Sequence, residues 1–313
     1  MELFECVSYL RSRDDFLILT HKRPDGDTLG SAAALCHGLR RMGKTAYVWN
    51  NPEITSTYAP FVAPYLEPEG RYTDYKTLVA VDLAGENLIP AGAPSGVDLC
   101  LDHHPSNSYY AKNTVVWGEK AACGELILAV LKELCGDIDQ EEAKLLYVAV
   151  STDTSCFMYA NTTPDTLRAG AELVEKGADN RALNKLLFRT FSKSRLTLEG
   201  LIYSTLRSYR NDQINVAVVT LKMLAKAGAT EDDCDDLASL AGKVAGNKVA
   251  ITIRELDENH SKASVRSTDE VNSSALCAKF GGGGHAMAAG CEMNCGPYEL
   301  EAKLLAALEE MWP

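Results

Sequence analysis

The chain carries ten cysteines, Cys6, Cys36, Cys100, Cys123, Cys135, Cys156, Cys234, Cys277, Cys291 and Cys295, but no paired spacing among them. Cys291 and Cys295 bracket three residues with no second pair nearby, so neither a disulfide framework nor a cysteine metal cage is expected. The thiols read as reduced and structural, several inside apolar runs where they act as small hydrophobes. No segment approaches the roughly 20 apolar residues of a membrane helix. The opening MELFECVSYLRSRDDF has no long apolar centre and does not read as a secretory leader, so a cytoplasmic protein is the expectation. Positive charge is also short: 31 Lys and Arg against 43 Asp and Glu give a net charge of -12, with an acidic run EDDCDD from Glu231 to Asp236. A long duplex is gripped through many basic phosphate contacts, so a processive DNA enzyme is disfavoured, whereas a short or mononucleotide ligand is not. Repeats and low-complexity segments are absent.

The 313 residues present, 46% hydrophobic and 24% charged, have an ordinary globular balance and suffice for two domains. Over the first hundred residues, apolar runs (FLILT, TAYVWN, TLVAVDL, VDLCLDHH) alternate with helical spacing such as TLGSAAALCHGLRRMG, which ends at Gly43. That alternation predicts an α/β fold with a doubly wound, mainly parallel sheet. From Ala121 the pattern is helical, through AACGELILAVLKEL, EEAKLLYVAVSTDT and TPDTLRAGAELVEKGA, and a further stretch from Arg181 to about Leu206 reads as a helix bridging two domains. Strand patterns return in INVAVVTL, NKVAITIREL and SKASVRS, before a closing helix GPYELEAKLLAALEEMW. The division expected is residues 1–189 for a catalytic domain, 190–210 for a helical linker and 211–313 for a smaller α/β domain.

Ligands of open parallel sheets gather at the carboxyl ends of the strands, where three groups of interest fall, with a fourth at the end of a helix. In HKRPDGD, after FLILT, Pro24 and Gly26 tighten a turn that lets His21, Asp25 and Asp27 converge, a set suited to Mn²⁺, Mg²⁺ or Fe²⁺ and less often Zn²⁺. Turn chemistry with Asp27 as a helix cap explains all of these residues except His21. Asp82 closes an apolar strand, where it either bridges cations or caps the next turn. Asp102, His103 and His104 end the next strand; adjacent histidines point in different directions, so one can bind metal while the other faces substrate and Asp102 orients an imidazole. Asp153 ends an apolar helix, where a carboxylate needs hydrogen bonds, a partner or a cation, and where the helix dipole opposes it. In the C-terminal part, the four glycines of GGGGH let backbone N–H groups approach an anion, His285 adds a donor, and Arg266 offers a planar fork for phosphate. His37 and His260 read as surface residues.

HKRPDGD, the strand-ending Asp82, LDHHPSN and STDT followed by FMYANTT resemble, in order and spacing, the four motifs of the DHH phosphoesterase superfamily. VRS at Val265 to Ser267 and GGGGHAMAAG from Gly281 resemble that family's DHHA1 domain. Together they span most of the chain, and the likeness is to the short two-domain nanoRNase type, which degrades oligoribonucleotides and dephosphorylates 3′-phosphoadenosine 5′-phosphate. Ser155 departs from the pattern, standing where glycine often follows TDT. The resemblance implies two divalent cations, with Mn²⁺ the first choice and Mg²⁺ or Fe²⁺ able to serve. His21, Asp25 and Asp82 are implied to hold one, and Asp27, Asp82, His103 and Asp153 the other, with Asp82 as bridge. His104 is implied to face the scissile phosphate with Asp102 behind it. Arg266, Ser267, Gly282, Gly283, Gly284 and His285 are implied to bind the substrate's phosphate or terminal nucleotide. The expected substrates are short RNA or small nucleotides, with no long duplex DNA and no membrane involved; a homodimer is an open assembly. Two rival readings are a phosphodiesterase of linear dinucleotides from cyclic dinucleotide breakdown and, in a different class, a non-catalytic nucleotide sensor.

Overall fold

The apolar runs FLIL, AYV, TLVAV and LCLD become strands β1 (Phe16–Leu19), β2 (Ala46–Val48), β3 (Thr77–Val81) and β4 (Leu99–Asp102). A fifth strand, β5 (Asn113–Val116), is only partly buried and begins with Asn and Thr, so no apolar run marks it in the sequence. These elements come from a computed structural model that describes residues 1–68, 72–234, 237–268 and 270–312. Asp235 and Asp236 of the acidic run lie outside the described residues. The chain divides into two compact units, Met1–Thr190 and Phe191–Pro313.

In the first unit all five strands are parallel, in the order β2-β1-β3-β4-β5. The connection therefore leaves β1 in one direction towards β2 and in the other towards β3, which puts the topological switch point between β1 and β3. The helices of this unit are α1 (Leu3–Ser12), α2 (Gly26–Arg41), the single turn α3 (Ala59–Val62), α4 (Cys123–Cys135), α5 (Gln140–Asp153), α6 (Pro164–Glu175) and α7 (Asn180–Phe188). Period-two alternation sends Phe16 and Ile18 to the face packed by α1, α2, α4 and α5. Leu17 and Leu19 go to the other face, beside Trp49, Leu78, Leu83 and Cys100.

Helices α2 and α5 approach one another along small residues. A Cβ on Gly26 would fall 2.4 Å from Thr152 Oγ1, and one on Gly30 would fall 2.5 Å from Leu145 O. This closeness joins the start of α2, which follows β1, to the end of α5, which carries Asp153. At the far end of the pair, Glu142 is fully buried, accepts from Arg41 Nη1 at 2.5 Å and closes a capping box with Asp139. His37 belongs to this brace and is not the surface residue expected: it is half-buried, 2.9 Å from Asp139 Oδ2 and 3.2 Å from the Tyr65 hydroxyl. Its partners lie far away in sequence, so nothing local to the sequence around His37 signals them. His260 is also partly covered, near Asp257 and Glu292.

The stretch from Arg181 to about Leu206 is two helices rather than one. After α7 ends at Phe188, Ser192 accepts from Arg195 N and so caps α8 (Lys193–Tyr203). Helix α8 buries Leu198 and Ile202 against Ala217 and Val219 in the second unit. That unit has a mixed six-stranded sheet ordered β10-β11-β9-β8-β7-β6, built from β6 (Arg207–Tyr209), β7 (Ile214–Val219), β8 (Val249–Asp257), β9 (His260–Ser267), β10 (Gly283–His285) and β11 (Ala288–Met293). Only β7 and β8 pair in parallel. Helices α9 (Leu221–Ala227), α10 (Ser273–Ala278) and α11 (Pro297–Met311) complete the unit. All ten cysteines are free, as the scattered spacing led us to expect.

The Gly30→Ala variant should lose about 1–3 kcal/mol through overpacking against the α5 backbone. A lowered thermal midpoint checks this; an unchanged midpoint would show that α2 and α5 can part without cost.

Candidate metal centre

Asp25 ends the turn after β1 as the N-cap of α2, its Oδ1 accepting from the N–H groups of Asp27 and Thr28 at 3.0 and 3.1 Å. The cap reading of the sequence was right for this motif but attached to the wrong residue. Asp27, two residues further, is buried and points instead to the start of α4. There Cys123 N donates to its Oδ2 at 2.7 Å and Gly124 N to its Oδ1 at 2.9 Å, while Ser31 Oγ donates at 3.1 Å. A helix N-terminus thus fixes this carboxylate.

Asp82 follows β3 with φ of 56°, a left-handed conformation that costs most residues about 1–2 kcal/mol and that aspartate tolerates better than most. Its N–H donates to Leu101 O at 2.8 Å, which locks the turn. His21 Nε2 lies 3.7 Å from Asp25 Oδ1 and 3.7 Å from Asp82 Oδ2. His103 Nε2 lies 3.4 Å from Asp82 Oδ1, 3.7 Å from Asp27 Oδ2 and 3.6 Å from Asp153 Oδ2. The other nitrogen of each ring is held by a carbonyl, Lys22 O for His21 and Lys120 O for His103, so in both rings Nε2 is the nitrogen turned to the carboxylates. Ligand atoms of His21, Asp25 and Asp82 lie within 4.8 Å of one another, as do those of Asp27, His103 and Asp153, and those of Asp82, His103 and His104.

Four aspartates in so small a space repel one another. Burial, followed by the charges of Asp82 and Asp153, pushes Asp27 well above the usual carboxylate range, and burial lifts Asp153 to about 7. Burial opposes the charged form of both histidines, yet the Asp25 and Asp82 carboxylates carry His21 up to about 10 and Asp82 carries His103 up to about 11. Asp82 Oδ1 is buried with no hydrogen-bond partner. An orphaned carboxylate oxygen among imidazoles and further carboxylates fits divalent cations with mixed N and O ligands, and it fits poorly with any neutral filling.

His104 is placed differently. Its Nδ1 is 2.8 Å from Asp102 Oδ1, and Asp102 Oδ2 accepts from Asn107 Nδ2 at 2.6 Å. Asp102 is fully buried, and His104, its ring pinned, is raised above its ordinary value by Asp102 and Asp82 against the opposing effect of burial. With Nδ1 committed, proton exchange falls to Nε2. A further group, His37, Asp139 and Glu142, has ligand-like spacing but already holds the Arg41 guanidinium.

After Asp153 the backbone makes a left-handed turn through Ser155, Cys156 and Phe157, with φ of 46, 57 and 63°. This explains why glycine suits the position of Ser155. In the second unit, Arg266, Ala288 and His285 are laterally paired across β9, β11 and β10, so they share one face of the sheet with a methyl group between the two donors. Ser267 Oγ donates to Val271 O at 2.6 Å and lies 2.6 Å from Ser273 Oγ, bracing the loop. Gly282 N donates to Cys277 O, and a Cβ on Gly282 would fall 2.1 Å from Gly290 O, so only glycine fits there. Gly284 has φ of 143°, and Gly283 has open space around it.

Residues 15–150 match the model of the DHH family, N-terminal domain, and residues 212–312 match that of the DHHA1 domain. Over 278 residues, 88% of this chain and 83% of the relative, the chain is 33% identical to the bifunctional oligoribonuclease and PAP phosphatase NrnA of Thermus thermophilus. The chain belongs to the DHH family. Another DHH relative, the protein of the same name in Bacillus subtilis, is 25% identical over 98% of this chain and 97% of its own length. An exopolyphosphatase-related protein from Bacteroides fragilis shares the fold with a TM-score of 0.85 and 23% identity, covering 98% of this chain and 95% of that one. RecJ from Thermus thermophilus, in complex with Mn²⁺, aligns with a TM-score of 0.53 and 15% identity, covering 99% of this chain and 55% of that one. No described helix of this DHH-family chain is long and apolar enough to cross a membrane.

Cations entering this centre must displace protons from His21, His103 and Asp153. Apparent Mn²⁺ affinity should therefore rise with pH, through the Asp153 value of about 7 and on towards the values of His21 and His103, about 10 and about 11, with protons released on binding. Calorimetry in buffers of different ionisation enthalpy checks this, and a pH-independent affinity would contradict it.

Proposed function

We propose that the chain is a two-metal hydrolase that cleaves phosphate esters of short oligoribonucleotides and of 3′-phosphoadenosine 5′-phosphate. The observation that carries the reading is the Asp82 carboxylate, whose Oδ2 lies 3.7 Å from His21 Nε2 and whose Oδ1, without a hydrogen-bond partner, lies 3.4 Å from His103 Nε2, so that one side chain faces both groups. The names of the relatives, oligoribonuclease and PAP phosphatase, supply the substrate class. His21, Asp25 and Asp82 hold one cation, and Asp27, Asp82, His103 and Asp153 hold the other. Manganese is our first choice for this ligand set, and magnesium or iron can serve. When bound, the cations act as Lewis acids on the phosphoryl oxygens and ready a water for attack near neutral pH.

The chain's own groups do the rest. Asp102 and Asn107 hold His104 so that Nε2 meets the leaving oxygen and can donate a proton to it as the P–O bond breaks. Arg266 and His285, on one face of the second sheet, with Ser267 and the Gly282–Gly284 loop behind them, bind the terminal phosphate or nucleotide. We assign residues 1–189 to the catalytic domain and 211–313 to the substrate-binding domain, with 190–210 as a helical connector whose α8 and β6 pack with the second unit, in a cytoplasmic protein that can form a homodimer.

The Asp82→Ala variant should lose nearly all turnover together with bound manganese, and an active, metal-replete variant would defeat the ligand assignment. Arg266→Ala should raise KM more than it lowers kcat, and unchanged kinetics would remove Arg266 from the binding site. In a product assay with Mn²⁺, 3′-phosphoadenosine 5′-phosphate and short RNA should both be hydrolysed, and EDTA should abolish both reactions. Turnover of a linear dinucleotide alone would point to the dinucleotide phosphodiesterase, and no turnover at all to a nucleotide sensor.

A further inference from the structure

The centre just described recognises phosphate. None of its six proposed cation ligands, nor His104 or Asp102, offers an apolar surface to a base. The loop that follows His104, however, carries an aromatic ring in an unusual setting. Tyr109 is 65% exposed and has φ of 53°, the left-handed region that a bulky side chain seldom enters. Such a conformation persists only where its surroundings impose it. Here they do: Tyr109 N donates to Asn107 Oδ1 at 2.7 Å, and the Nδ2 of the same Asn107 donates to Asp102 Oδ2 at 2.6 Å. The preceding Ser108 N donates to Ala84 O at 2.9 Å, two residues beyond Asp82. One short hydrogen-bonded chain therefore runs from His104 through Asp102 and Asn107 to the backbone of Tyr109. A second ties the same loop to the strand end that carries the bridging aspartate. The loop holding a large exposed ring is fixed to the phosphate-reacting groups from both sides.

Exposed tyrosines are common, and most need no explanation. A tyrosine held left-handed by the carboxamide that also braces the Asp102–His104 pair is a different case, because its position is coupled to that pair. A π-face serves any of the four bases, so it suits a site that must accept short RNA of varied sequence.

Resting on the proposed nucleotide substrate class, we propose that Tyr109 is a substrate-binding residue of this site: its ring stacks on the base next to the scissile phosphate and gives the centre its preference for nucleotide esters over esters that lack a base. The ring contributes through stacking alone, so the hydroxyl is dispensable.

The test uses the full chain with Mn²⁺ and two phosphodiesters, the linear diadenylate pApA and a base-free diester, its analogue with abasic riboses in place of both adenosines. The readout is the ratio of kcat/KM for pApA to that for the base-free diester. Tyr109→Asn removes the ring and keeps a residue that tolerates the left-handed backbone, so folding is preserved. Its ratio should fall about tenfold, the size expected for loss of one stacked base. Tyr109→Phe and Tyr109→Trp should keep the parent ratio. An unchanged ratio in Tyr109→Asn, or a Phe variant as impaired as the Asn variant, overturns the proposal while leaving the nucleotide reading intact. A parent that hydrolyses the abasic diester but neither pApA nor any other nucleotide overturns both.

Discussion

Carboxylates crowd one edge of a parallel sheet in this protein, and the rest of the structure depends on the electrostatic demand they create. Asp27, Asp82 and Asp153 converge on His103, and Asp25 and Asp82 on His21, within salt-bridge distances. Protons on the two imidazoles satisfy part of that demand, and the orphaned oxygen of Asp82 shows the part they do not. The divalent cations proposed for this centre would meet it, and residues that would be a liability in an ordinary core would then be coherent.

The fold supplies this convergence by bringing separate strand and helix ends to one place. The strand order 2-1-3-4-5 opens a switch point between β1 and β3, and the first two motifs follow those strands. Close packing of α2 on α5 at Gly26 and Gly30 delivers Asp153 from another part of the chain to the same point. The N-terminus of α4 then fixes Asp27, so three different helices have an end at the site. Stability and function are coupled here, because a change that separates α2 from α5 also moves a proposed ligand.

Much of this was legible in the sequence, since strand-ending Asp and His residues in order are a local signal with a physical cause. Four parallel strands, the principal helices and the convergence of the six proposed ligand positions could all be read from residues such as His21, Asp82 and the pair at 103 and 104. Contacts between distant segments could not. Nothing around Asp27 announces the N–H groups of Cys123 and Gly124, nothing near His37 announces Asp139, and β5 has too little apolar character to stand out. The single helix expected across Arg181 to Leu206 failed because Ser192 caps a new helix there, a signal outweighed in the sequence by the helical spacing on either side. Ser155 is the opposite case. Its departure from the family pattern was visible at once, and the left-handed turn at 155–157 supplies the physical reason for the usual glycine.

The most direct test of a shared binuclear centre is anomalous diffraction at the manganese edge from crystals of the parent protein grown with Mn²⁺. Two peaks are expected, one between His21 and Asp25 and one among Asp27, His103 and Asp153, with the Asp82 carboxylate touching both. A single peak, or peaks that leave Asp82 without a manganese neighbour, would contradict the account.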